Sequence, residues 1–162
     1  MVRQRGQPVA VLLTSDWHDR SAQAVFDRYL KSVGATIWAP AAALAEGEAG
    51  RMACRPTHPY GEGDTLPGGV RAHAIAPHWY PEAALYLAPQ RALVVAECLW
   101  RTREGDVRLS GTNAAVPLRR LLETLDIDVL LLSHGAPVLE GAREVLAKAL
   151  ELPAQPQRAW SS

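Results

Sequence analysis

Imidazole and carboxylate side chains stand in this sequence just beyond the ends of short apolar segments. Neutral imidazoles and carboxylates are ligands that zinc and iron use in proteins. In open α/β sheets such groups gather outside the strand ends. If the fold brings them together, they predict one metal site. The candidate ligands are Asp19, His78, Glu97 and His134, with His18 beside the first of them.

The apolar segments that precede these residues have the lengths of buried strands, and three further stretches have helical spacing. The predicted strands are 9–13, 36–38, 70–75, 83–87, 92–95 and 129–132, and the predicted helices are 22–33, 116–125 and 142–150. The first strand, helix and strand predict a right-handed parallel unit, and 70–95 predicts an antiparallel meander. Residues 41–67 are predicted to be mostly loop, with a short helix at 41–45. The fold class is therefore α/β.

Length and charge exclude several classes of protein. The 162 residues favour one domain over 1–152 with a flexible tail at 153–162. Because 17 basic side chains balance 17 acidic ones, nucleic acid and membrane surfaces are not expected partners. No apolar run could span a bilayer, no signal segment precedes Thr14, and two cysteines are too few for a disulfide framework. These features predict a cytoplasmic protein.

Five motifs occur in an order that resembles the metallo-β-lactamase superfamily of binuclear metal hydrolases. Together they cover about residues 9–151, and the common order is more specific than any single motif. They are Leu-Thr at 13–14 with Ser-Asp-Trp-His-Asp-Arg at 15–20, Gly-Asp-Thr-Leu-Pro-Gly-Gly-Val at 63–70, Pro-His at 77–78, Ala-Glu at 96–97, and Ser-His-Gly at 133–135. The second of these resembles the family's strand that leads to its next ligand. The resemblance implies a metallo-β-lactamase-like αβ/βα sandwich with a metal site at these motifs.

The first motif departs from the family pattern. Ser15, Trp17 and Arg20 stand where the family supplies three imidazoles, and Asp19 keeps the family's residue type. Serine is a poor ligand, indole cannot ligate, and a guanidinium repels a metal ion. The sequence therefore predicts an eroded site rather than a binuclear one.

Two outcomes for the eroded site stay open. Asp19, His78, Glu97 and His134 could hold a single zinc, iron or manganese ion, with His18 as an off-register substitute. Alternatively no metal binds, and the Arg20 guanidinium neutralises Asp19 or Glu97 by pairing with it.

The segment before the first motif is short for this family. Fourteen residues precede Ser15, where the resemblance implies several strands. The sandwich is therefore expected to lack much of its N-terminal sheet. Because soluble proteins hide apolar faces and strand edges, a homodimer or higher oligomer is predicted to cover this surface.

Two functions follow from the resemblance. The first is a divergent, non-catalytic and oligomeric relative with an eroded metal site that binds a small molecule. The second is a mononuclear hydrolase of an ester, thioester or lactone, with Asp19 and Arg20 as catalytic residues and Arg20 binding an anionic substrate group. Asp19 could instead cap a helix, and Cys98 beside Glu97 is expected to be a small buried hydrophobe.

Overall fold

The computed structural model describes residues 9–17, 22–31, 34–44, 54–76 and 81–154. Its strands are β1 (Ala10–Leu12), β2 (Thr36–Pro40), β3 (His58–Tyr60), β4 (Thr65–Leu66), β5 (Val70–Ala76), β6 (Glu82–Leu87), β7 (Ala92–Val95), β8 (Leu99–Arg101), β9 (Val107–Leu109) and β10 (Val129–Leu132). Its helices are α1 (Ala22–Val25), which continues as one π-helical stretch (Phe26–Leu30), α2 (Ala115–Thr124) and α3 (Ala142–Glu151).

The strands form two main sheets and a hairpin. Sheet A has the order β1-β2-β3 with parallel pairing throughout. Sheet B has the order β10-β7-β6-β5-β4, in which β4 to β7 pair antiparallel and β10 pairs parallel with β7. Strands β8 and β9 pair antiparallel as a separate hairpin.

Three apolar clusters hold these elements in layers. The outer cluster packs Phe26, from the helical segment, against Ile37 of sheet A. The central cluster lies between the two sheets and joins Leu12 and Trp38 to Leu85 of sheet B. The largest cluster covers the other face of sheet B with the hairpin and with α2 and α3, and buries Leu118 and Leu146 completely. The layer order is therefore helix, sheet, sheet, helices, which confirms the predicted αβ/βα sandwich.

Most predicted elements are confirmed, and two regions differ. The predicted loop at 41–67 contains β3 and β4, and β3 escaped prediction because Pro59 interrupts it, which an edge strand tolerates. The β8-β9 hairpin was missed because each strand has three residues, too few to show a period. Of the tail predicted at 153–162, residues 155–162 lie outside the described residues. Within the described part of the chain, no helix is long and apolar enough to cross a membrane.

A close approach of two backbone segments joins the hairpin to the end of β10. The Arg101 N–H donates to the His134 carbonyl oxygen at 3.0 Å. Gly135 has a φ of +88°, and a Cβ there would lie 2.6 Å from the Arg101 carbonyl oxygen. Only glycine meets both conditions without strain.

Replacing this glycine should destabilise the fold. We expect Gly135→Ala to lower the free energy of unfolding by about 1–3 kcal/mol, because the left-handed φ is strained and the new methyl group collides with backbone. Urea unfolding followed by circular dichroism measures the change. Gly111→Ala is the matched control, since no atom lies within 4 Å of its Cβ position and its φ of −162° suits any residue. Equal losses in the two variants would contradict the prediction.

Candidate functional site

The parallel pairing of β7 with β10 brings two predicted site residues to one edge of sheet B. Val95 lies opposite Leu132 in the register, and both strands end there. Glu97 and His134 each stand two residues beyond their strand, so they emerge side by side. The predicted convergence of side chains beyond the strand ends is therefore seen for this pair.

Glu97 and His134 are in direct contact. His134 Nε2 lies 3.1 Å from Glu97 Oε1, and the side chains are 24% and 23% exposed. Because an ionised carboxylate only accepts hydrogen bonds, a bond between them requires the proton on Nε2. The same separation also fits two atoms that each lie about 2.1 Å from one ion at roughly a right angle. The pair can therefore be either a hydrogen bond or two neighbouring ligands.

The described part of the first motif lies at the same edge. The Thr14 carbonyl oxygen accepts from the Ala83 N–H at 2.8 Å, which joins the end of β1 to the start of β6. The Tyr60 hydroxyl donates to the Leu13 carbonyl oxygen. The first bond docks the edge of sheet A onto sheet B beside the 96–98 turn, and the second ties β3 to the end of β1 within sheet A.

Ser15 and Trp17 occupy positions where the sequence resemblance implies imidazoles. The Ser15 side chain is fully buried, and its hydroxyl oxygen accepts from the Trp17 N–H at 3.3 Å. The Trp17 indole is 50% exposed. Ser15 is thus a buried residue of the turn, and Trp17 presents part of its aromatic ring at the surface.

Beside the Glu97–His134 pair, the structure places a buried carboxylate that sequence reasoning missed. Glu82 is 3% exposed at the start of β6, and its carboxylate accepts from the backbone N–H of Ala96 at 2.8 Å and of Cys98 at 2.9 Å. The sequence did carry a signal for it, because Glu82 directly precedes the apolar run 83–87. Burying a carboxylate there is energetically unfavourable unless its oxygens accept hydrogen bonds.

Burial controls the ionisation of the groups below the turn. Desolvation raises the pKa of Glu82 from 4.5 to about 7, against the lowering effect of the Ala96 and Cys98 hydrogen bonds. Burial also raises the pKa of the Cys98 thiol, and the nearby Glu82 charge adds to this. Cys98 is therefore a neutral thiol at physiological pH, as expected for a small buried hydrophobe.

The remaining predicted site residues are not all described. His18, Asp19, Arg20 and His78 lie outside the described residues. Within the described ranges, no group of three or more histidine, cysteine, aspartate or glutamate side chains is gathered as a metal site. Glu97 and His134 are thus the part of the predicted ligand set whose geometry is known.

Two other histidines have structural partners elsewhere. His73 Nδ1 lies 3.2 Å from Glu62 Oε1. The His58 ring stacks on Trp38 with the ring centroids 4.5 Å apart. Neither contact involves Glu97 or His134, which makes His58 a useful control.

The raised Glu82 pKa predicts a pH-dependent stability. Because the folded pKa is above that of the unfolded chain, the folded protein binds the extra proton, and the free energy of unfolding falls as pH rises from 4.5 to about 7. The total fall is on the order of 3 kcal/mol. Glu82→Gln should remove this slope, which urea unfolding at a series of pH values measures. Glu62→Gln, at a surface carboxylate, should keep it, and an unchanged slope in Glu82→Gln would refute the assignment.

Comparison with solved structures identifies the fold of this chain, whereas comparison of its sequence finds no match. No protein-family model matches the sequence, and no curated protein is a significant match to it. Solved structures do match, and three of them are metallo-β-lactamases or members of that family.

These three structures are similar over most of this chain. DIM-1 metallo-β-lactamase exposed to ceftazidime has 12% identity and a TM-score of 0.62, with 88% of this chain and 67% of that one covered. A metallo-β-lactamase family protein from Thermus thermophilus has 16% identity and a TM-score of 0.60, with 88% of this chain and 60% of that one covered. The metallo-β-lactamase from Pontibacter korlensis has 20% identity and a TM-score of 0.59, with 91% of this chain and 70% of that one covered. This chain therefore spans about two thirds of their length, and it has the metallo-β-lactamase fold.

Proposed function

We propose that this protein is a divergent, non-catalytic and self-associating relative of the metallo-β-lactamases whose metal site has been eroded. The observation that carries the proposal is the pair of residues at two ligand positions of the first motif. Ser15 is fully buried with its hydroxyl bonded to the Trp17 N–H, and Trp17 is half exposed. A small-molecule ligand at this edge and a cytoplasmic location belong to the same proposal.

The donor set does not fit a binuclear centre. The Ser15 oxygen is bonded to backbone, and the lone pair of the Trp17 indole nitrogen belongs to the aromatic ring and cannot bind a metal ion. Arg20 adds a permanent cation at the third imidazole position. Two-metal hydrolysis has no place in the proposal for this reason.

A second candidate function is favoured by a different observation. Glu97 and His134 lie 3.1 Å apart at the ends of paired strands, which suits adjacent ligands of one ion. Asp19 and His78 would complete the ligand set, and the bound ion would supply an activated water for hydrolysis. Arg20 would orient an anionic part of the ester, thioester or lactone substrate.

The edge of sheet A formed by β1 supports self-association. Val9 and Leu13 use their backbone groups to pair β1 with β2. Because these groups alternate along a strand, those of Ala10 and Leu12 point away from β2. An edge of this kind can pair with the same edge of a second copy, which is the partner we propose.

The metal content of the purified protein separates the two functions. We expect protein prepared without chelator to contain no stoichiometric transition metal by plasma mass spectrometry, and to release no binding heat on zinc titration. The physical reason is the loss of ligands at positions 15 and 17. His134→Ala and the control His58→Ala should then behave as the wild type does.

The opposite result would support the second candidate. About one equivalent of zinc, iron or manganese, lost in His134→Ala and kept in His58→Ala, would overturn the non-catalytic proposal. Hydrolysis of ester and thioester substrates would then be the next assay, with the same two variants.

A proline in β1, an edge strand of sheet A among the described residues, tests the assembly. Ala10→Pro removes an N–H that points away from β2, and proline is tolerated at such a position. We expect light scattering to show a dimer for the wild type and a monomer for the variant, with an unchanged circular dichroism spectrum. A monomeric wild type would contradict self-association, and a dimeric variant would place the interface elsewhere.

A further inference from the structure

We infer that Glu82 is a positioning residue, which holds the turn at residues 96–98 so that the Glu97 carboxylate meets the His134 imidazole. The hydrogen bonds accepted by Glu82 come from Ala96 and Cys98, the residues on either side of Glu97. Glu97 is thus held at both of its chain neighbours by one side chain.

Above its pKa of about 7, Glu82 is ionised, and the hydrogen bonds that it accepts are then of the strong kind. Its carboxylate accepts two backbone N–H groups at 2.8 and 2.9 Å, and it is 3% exposed. Bonds to an ionised acceptor are about twice as strong as neutral ones, and a buried site screens them little. The turn therefore cannot move without leaving a buried carboxylate partly unsatisfied, which is costly.

The held segment continues directly to His134. Residues 96–98 run into β8, and at the end of β8 the Arg101 N–H donates to the His134 carbonyl oxygen at 3.0 Å. The segment 96–101 therefore carries Glu97 at one end and supports the backbone of His134 at the other. Glu82 anchors the first end of this segment.

A weaker support comes from the other side of the turn. The Ser110 hydroxyl donates to the Glu97 carbonyl oxygen, and the Ser110 N–H donates to the Cys98 carbonyl oxygen at 3.0 Å. The Ser110 side chain is neutral and forms one bond to the turn, so its removal should disturb Glu97 less. Ser110→Ala is the matched control.

The test reads the proton on the His134 ring rather than the stability of the fold. Nitrogen-15 shifts of the ring at about pH 8 report which nitrogen of a neutral imidazole is protonated. In chelator-treated wild type, we expect the Nε2–H form to predominate because Glu97 accepts from it. Glu82→Gln presents an N–H₂ group to a backbone N–H, so the turn shifts, and the ratio of the two forms should fall at least about threefold.

A double substitution shows whether Glu82 acts through Glu97. Glu97→Ala sets the limit for complete loss of the acceptor, and adding Glu82→Gln to it should change the ratio no further. Ser110→Ala should have a smaller effect than Glu82→Gln. An unchanged ratio in Glu82→Gln would overturn the inference, and so would an equal effect of Glu82→Gln in the Glu97→Ala background.

Two provisions keep the result decisive. If Glu82→Gln does not fold, Glu82→Asp retains the charge with a side chain one methylene too short to reach both N–H groups, and the same fall is expected. Because the measurement uses metal-free protein, it does not depend on the proposed loss of metal binding. The two proposals can therefore fail separately.

Discussion

The parallel, in-register pairing of β7 with β10 is the constraint on which the site depends. It ends the two strands at Val95 and Leu132 side by side, so the residues two positions further on must emerge together. The apolar cluster on the helical face of sheet B holds this pairing, since Leu93, Val95 and Leu130 are completely buried in it. The Glu97–His134 contact is a consequence of core packing rather than of local sequence.

Chain connections then determine what surrounds the pair. Antiparallel pairing of β6 with β7 returns the chain so that β6 begins where β7 ends, which brings Glu82 beneath the turn at 96–98. The backbone bond between Ala83 and Thr14 draws the first motif of sheet A to the same edge. The site thus collects residues from separate stretches of sequence without a long loop.

Burial gives this edge its chemical character. Glu82 accepts two backbone hydrogen bonds, yet desolvation still raises its pKa to about 7. An apolar residue at position 82 would leave the backbone N–H groups of Ala96 and Cys98 without their acceptor, and these two bonds hold the chain on either side of Glu97. Two residues of the first motif differ sharply in burial at the same edge, since Ser15 is fully buried and Trp17 is half exposed.

The sequence alone determined the α/β class, the meander, the last two helices and the strand ends where Glu97 and His134 stand. Apolar period and chain order carry that information, since each is a local property of the chain. Only the tertiary structure decided that Glu82 lies under Glu97, that Ser15 is buried with Trp17 outside it, and that Gly135 packs on Arg101. The Glu82 and Gly135 contacts join residues far apart in sequence, and these contacts and the burial of Ser15 depend on how the sheets and the hairpin pack together.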